Sequence, residues 1–268
     1  MTAETLTQDR TITHRASGGP LLGFRTVFRK EVTEWLRGRA AFIVAAVAIA
    51  SAIFTTVIPF IVKATGEAAE GLTLTNDPTA NVLLGWRGAQ TYAVIAVLAT
   101  MALITAERDR GTLSWSLSNP LSPSSLIAAK FCAAVVVVGT AIVIVPLAIS
   151  AVVATVAYGA VPDLGRVAVF AGLFLTVPIF YIGLNVTLGS FVKSTAGVAG
   201  IALLVMFLPS AVGGLFPIVN EASPTSIGTW AWLTATGTTA SMLTLAGWAI
   251  SMVVLAVGAK LIFERQEF

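Results

Sequence analysis

Residues 131–162 read FCAAVVVVGTAIVIVPLAISAVVATVAYGAVP, 32 residues between Lys130 and Asp163 without one charged side chain. Such a run cannot face water, and about 20 apolar helical residues are enough to cross the roughly 30 Å hydrocarbon core of a bilayer. Five further charge-free runs surround it: 40–62, 88–106, 167–192, 194–220 and 222–259. One span is expected in each, giving six, at about 40–63, 84–106, 127–157, 166–190, 195–216 and 238–262. The last run is too long for one helix and too short for two. Its first part, through Pro224, Gly228, Trp230 and Trp232, reads as broken and interfacial, so the sixth span is expected to begin near Thr238.

The composition agrees. The chain has 268 residues, 56% of them hydrophobic and only 11% charged, with mean hydropathy +0.89. A soluble domain carries about 25% charged residues, so an ordinary soluble enzyme and a disordered chain are both excluded. The pI near 9.3 suggests nucleic acid, but the net charge is only +3, and no nucleic-acid partner is expected. A single cysteine, Cys132, excludes an internal disulfide framework and a multi-cysteine metal site. The one histidine, His14, lies in the polar N-terminal segment and cannot supply a bis-histidine site. No catalytic, cofactor-binding or metal-binding residue is expected in this chain.

Lysine and arginine set the expected orientation. With the N-terminus inside, 13 of the 16 basic residues lie in inner segments, and only Lys63, Arg87 and Arg166 lie outside. Both termini are therefore expected in the cytoplasm of a multi-pass protein of the cell membrane. The turn between the fourth and fifth spans carries one charge, Lys193. A cleavable leader is not expected, because the first apolar run starts about 40 residues in.

Residues 1–20 read as a mobile cytoplasmic tail, and 21–268 as one transmembrane domain. Within 21–37, Leu21, Phe24, Phe28, Val32 and Trp35 recur at steps of three and four, with Arg25, Arg29, Lys30, Glu34 and Arg37 on the other side. This is a basic amphipathic helix, expected to lie in the inner membrane interface against lipid. Acids and bases are missing from the middle of every run, which speaks against a proton-coupled pump. Asn185 is the most polar interior residue and reads as a helix-to-helix hydrogen-bonding group. Pro59, Pro146, Pro178 and Pro209 are expected to kink their helices.

The longest inner loop is the most patterned. It reads Glu107-Arg108-Asp109-Arg110-Gly111-Thr112-Leu113-Ser114-Trp115-Ser116-Leu117-Ser118-Asn119-Pro120 and continues to Lys130. A charged collar ends one helix, a glycine follows, and a short amphipathic stretch with Leu113, Trp115 and Leu117 runs into Pro120 and Pro123. A compact, partly apolar knob of this kind suits contact with a soluble protein. The combination Glu107, Arg108, Gly111, Thr112, Leu113, Leu117, Ser118, Pro120 and Lys130 resembles the loop between the second and third helices of ABC-2 type (type-2 exporter) permeases. Trp115 and Ser116 stand where that family more often has aliphatic residues, and no basic residue follows the proline turn.

The resemblance implies an all-α polytopic fold: an interfacial N-terminal helix, six transmembrane helices, and a re-entrant outer segment before the last one. It implies a permease subunit that does no chemistry. Two copies of a separate ATPase would bind ATP and Mg, and a second permease chain, an identical copy, would complete the path. Glu107, Arg108, Gly111, Thr112, Leu113, Trp115, Leu117 and Pro120, in a coupling loop at 107–126, would engage the ATPase. Phe24, Phe28 and Trp35 would seat the interfacial helix. Pro209, Gly213, Gly214, Pro217 and Pro224 would form an outer gate. A path without ionised groups suits a lipophilic or amphipathic substrate moving outward. Gly189–Ser194 has Val192 where a phosphate loop needs glycine before the lysine, so ATP hydrolysis belongs elsewhere. A non-ABC carrier, or a scaffold subunit of another membrane complex, stays open on the residues alone.

Overall fold

The computed structural model describes residues 23–65, 77–87, 90–110 and 123–265. Among these residues the secondary structure is helical throughout. Six helical stretches are long and apolar enough to cross a membrane: Arg39–Val62, Gln90–Asp109, Ser124–Tyr158, Leu164–Phe191, Thr195–Gly213 and Met242–Ile262. An even number of crossings puts Phe24 and the end of the last helix on one face, called here the near face.

Helix α1 (Phe24–Arg37) stops at Gly38, whose extended backbone turns the chain into α2 (Arg39–Thr65), the first span. The second span does not begin near residue 84. Pro78–Gly85 forms its own short helix α3, started by the Asp77 carboxylate accepting from Thr79 N–H and by Pro78 in the first turn. The crossing itself is α4 (Gln90–Thr100), a turn, and α5 (Thr105–Asp109). The third span joins α6 (Pro123–Gly139), a π-turn at Thr140–Ile144, and α7 (Val145–Tyr158). The π-turn falls just before Pro146, whose ring excludes the carbonyl four residues back. At 35 residues and about 1.5 Å rise each, this stretch exceeds the bilayer core and must tilt or protrude.

The fourth span is α8 (Leu164–Phe174) and α9 (Thr176–Phe191), the fifth α10 (Thr195–Gly213), and the last α13 (Met242–Arg265). Between the fifth and last come α11 (Pro217–Ala222), a 3-10 turn at Pro224–Ser226, and α12 (Ile227–Ala235). The last helix thus starts four residues later than Thr238, because Gly237 at φ 74° ends the preceding turn.

α9 is the spine. Every residue from Phe180 to Ser190 is buried, and the helix packs on the second, third, fifth and last spans. Side chains such as Phe42 and Val156 point outward at 78% and 83% exposure. Apolar surface this extensive is stable only against lipid. Threonines at 55, 56, 140, 176 and 187 bond carbonyls of their own helix, which satisfies the hydroxyl without a partner elsewhere. Thr187 also reaches the Leu255 carbonyl on the last helix, 3.1 Å away.

Asn185 is a helix-to-helix group. Its amide donates to Val97 O at 2.9 Å and Thr100 Oγ1 at 2.8 Å, where α4 ends. It therefore holds the break in the second span against the spine. Asn185→Leu removes both buried donations and is expected to cost about 1–2 kcal/mol. Thermal unfolding of the purified chain checks this, and an unchanged midpoint would mean that packing alone holds the break.

Candidate functional site

On the near face, three charged side chains from three elements meet. Lys130, in the second turn of the third span, is 2% exposed. Its ammonium lies 2.7 Å from Glu31 Oε1 on α1 and 2.8 Å from Glu107 Oε1 on α5. The two glutamates are 7% and 17% exposed. An ammonium so buried costs several kcal/mol in lost hydration unless charge-assisted hydrogen bonds replace the water, and here two carboxylates do so. Below them Val27, Ile104, Leu126 and Ala129 form a small apolar cluster, flanked by Phe24 and Phe28.

The neighbouring residue extends the junction. The Arg108 guanidinium donates to Ser190 O at 2.7 Å and to Val192 O at 3.3 Å. These carbonyls end α9, where the helix dipole favours a cation. Thr105 and Thr195 hydroxyls are 2.7 Å apart, tying α5 to the start of the fifth span. Residues 105–108 thus fasten the second span to α1 and to the near-face ends of the third, fourth and fifth spans.

On the far face, the Asp77 carboxylate pairs with Arg166 at 2.7 Å, and Thr79 Oγ1 accepts from Asp163 N–H at 2.8 Å. Burial pushes the Asp77 carboxyl up, but hydrogen bonds from Arg166 and Thr79 outweigh it and hold the group below the ordinary carboxylate range. Beneath this latch Trp86 stacks on Tyr92 at 4.2 Å and meets Phe170 and Phe174 edge-on. The broken segment lies over the last helix: Thr244 Oγ1 donates to Glu221 O at 2.7 Å. Trp232 stacks under the Arg87 guanidinium at 5.0 Å.

A family model described as ABC-2 family transporter protein matches residues 25–268. The chain belongs to that family. It is a multi-pass membrane protein and the permease component of an ABC transporter. The match takes in α1, both faces described above and the last helix. None of the curated proteins matches the chain.

In this ABC-2 permease the sequence-selected residues fall into three groups. Glu107 and Arg108 sit in the near-face junction, and the rest of that set, Gly111, Thr112, Leu113, Trp115, Leu117 and Pro120, lie outside the described residues. Phe24 and Phe28 stack at 5.9 Å and cover the small apolar cluster, while Trp35 packs on the main core. Pro209 lies inside α10, and Gly213 is pressed by Asn220, leaving no room for a Cβ. Gly214 has open space, Pro217 starts α11 and Pro224 opens the 3-10 turn. Among the described residues no group of three His, Cys, Asp or Glu could hold a metal ion.

Sequence reasoning missed Glu31. It took the buried stripe of α1 as wholly apolar, whereas the fully buried positions are Val27 and Glu31. The signal was present: Glu31 stands four residues from both Val27 and Trp35, an acid on an apolar face. An acid there needs a cation on whatever the helix packs against.

Proposed function

We propose that this permease is the membrane half of an ATP-driven exporter in the cell membrane, with the near face and both termini in the cytoplasm. Two copies of a separate ATPase bind ATP and Mg and close on the segment that follows Arg110. A second, identical permease chain completes the path. The observation that carries the reading is the Glu31–Lys130–Glu107 triad beside the Arg108 clamp. A push delivered at residues 111–122 reaches Glu107 and Arg108 first. From there buried ion pairs and helix-end hydrogen bonds pass it to α1 and to the third, fourth and fifth spans together.

The cargo is read as lipophilic or amphipathic. Support comes from an apolar groove of about 280 Å³ between the third, fourth and last spans, walled by Ile127, Phe131, Val186, Met252 and Leu255. Moving a metal ion or a bare sugar in the reconstituted complex would overturn this.

The test of the partner is direct. A tagged chain, gently solubilised from its native membranes, is expected to co-purify with an ATP-binding subunit and vanadate-sensitive ATPase activity. Replacing Leu113, Trp115 and Leu117 together with Asp is expected to reduce the co-purified ATPase at least tenfold while leaving membrane insertion intact. Unchanged ATPase recovery would remove the docking claim, and a reproducible lack of any ATPase would remove the exporter reading.

A further inference from the structure

Toward the far face, below the broken segment, lies a cavity of about 120 Å³ whose chemistry differs from the rest of the membrane-spanning region. Its walls come from four places: Gln90 at the head of the second span, Tyr181 on the spine, Ser210 on the fifth span, and Asn220, Ser226 and Thr229 on the broken segment. None of its lining residues carries a charge.

The polar groups divide in two. Ser226 Oγ donates to Asn220 O at 2.6 Å, so that corner of the wall is internally satisfied. Tyr181 is different. Its side chain is almost wholly buried, at 2% exposure, and its ring stacks edge-on with Phe180 at 5.1 Å. Its hydroxyl has no hydrogen-bond partner among the described residues. The same holds for the side chains of Gln90, Ser210 and Thr229 around the rim. A buried phenol without a partner costs about 1–3 kcal/mol. Tyr181 is the buried one; Gln90, Ser210 and Thr229 are exposed at the rim, and with it they line one space from three spans and the segment above them, a surface for something that hydrogen-bonds.

We propose that this cavity binds the neutral, hydrogen-bonding head of an amphipathic molecule, a hydroxyl- or carboxamide-bearing group of a few heavy atoms. The lack of charge decides against an ionic head: a phosphate, carboxylate or ammonium would be desolvated there with no counter-charge to meet it. The hydroxyl and amide groups decide against a purely apolar occupant, which would leave Tyr181 unsatisfied. The volume admits roughly four waters or one compact head group. Tyr181 is the innermost of these groups, and Gln90, Ser210 and Thr229 complete the ring. The proposal deepens the exporter reading by naming the head group of its cargo, and rests on that reading for the direction of passage alone.

The test exploits the single cysteine. In full-length chain carrying Cys132→Ala and Thr225→Cys, a wall position outside that ring, reconstituted in lipid nanodiscs, the rate of labelling by a membrane-impermeant maleimide reports access to the cavity. Three probes share one alkyl chain and differ in head: 1-O-octylglycerol, octyl sulfate and octyltrimethylammonium, each below its critical micelle concentration. 1-O-octylglycerol is expected to slow labelling at least fivefold, and the two charged probes by less than twofold. Tyr181→Phe and, separately, Thr229→Val are expected to abolish the protection without slowing the unprotected labelling or lowering the unfolding temperature. Equal protection by all three heads would mean partition into lipid only. No protection would mean a site for water only. Protection surviving in both variants would put the probe elsewhere. Each of these overturns the proposal. ATPase co-purification, measured on the parent chain, decides the exporter reading independently, so the two can fail separately.

Discussion

Lys130→Met is expected to destabilise the permease by about 3–5 kcal/mol, the usual cost of removing one partner from a buried ion pair. The Glu31 and Glu107 carboxylates would then face one another across the vacated ammonium position with nothing to neutralise them. Thermal unfolding of the purified full chain, followed by tryptophan fluorescence, reads the loss directly. Glu31→Gln in the Lys130→Met background is expected to recover part of it, because one of the two opposed charges is then gone. Lys130→Arg keeps the charge and is expected to fall between the parent and the methionine variant. An unchanged midpoint in Lys130→Met would mean that the triad is not closed, and the route proposed from Glu107 into α1 would fall with it.

Gly247→Ala is expected to cost about 3 kcal/mol, at the upper end for overpacking between elements. Gly247 sits one turn into the last helix, where the end of α11 crosses it. A Cβ there would overlap the backbone carbonyl of Ala222, and neither backbone can yield as a flexible side chain would. The Thr244 hydroxyl bond to Glu221 O lies on the same crossing and would be pulled apart with it. Gly200→Ala is the matched control. Its Cβ would enter open space on the fifth span, so only the helix propensity of alanine acts, and stability is expected to hold or rise by up to about 1 kcal/mol. Equal unfolding temperatures for the two alanine variants would show that the broken segment does not bear on the last helix.

The spans were legible because hydropathy is local. The run 131–162 contains everything needed to read it as membrane-crossing, and five other runs follow the same arithmetic. The six crossings, the all-helical class and the family stand on those runs and on the 107–130 pattern. Local chemistry also placed Asn185 correctly as a group that needs a partner on another helix. Less legible were the helix ends. The short helix Pro78–Gly85 borders residues already counted toward the second span, because Val82, Leu83 and Leu84 are as apolar as the span itself.

The near-face triad was hidden for a different reason. Glu31 and Lys130 are 99 residues apart, and Asn185 and Val97 are 88 apart. Nothing near Glu31 in sequence says that α1 will lie along the start of the third span and not along the first. The obvious pairing, Lys30 with Glu34, does form at 3.6 Å, but on the exposed side where it contributes little.

By itself, then, the sequence determined that this protein lives in a membrane, how many times it crosses, and which family it belongs to, since each rests on the identity and order of neighbouring residues. Only the tertiary structure decided which buried charges meet, which glycine must stay bare at a backbone crossing, and which neutral groups surround an uncharged cavity. Those depend on how closely distant helices approach one another, and a hydrogen bond or ion pair is lost over a shift of an ångström or two that leaves the hydropathy of every span unchanged.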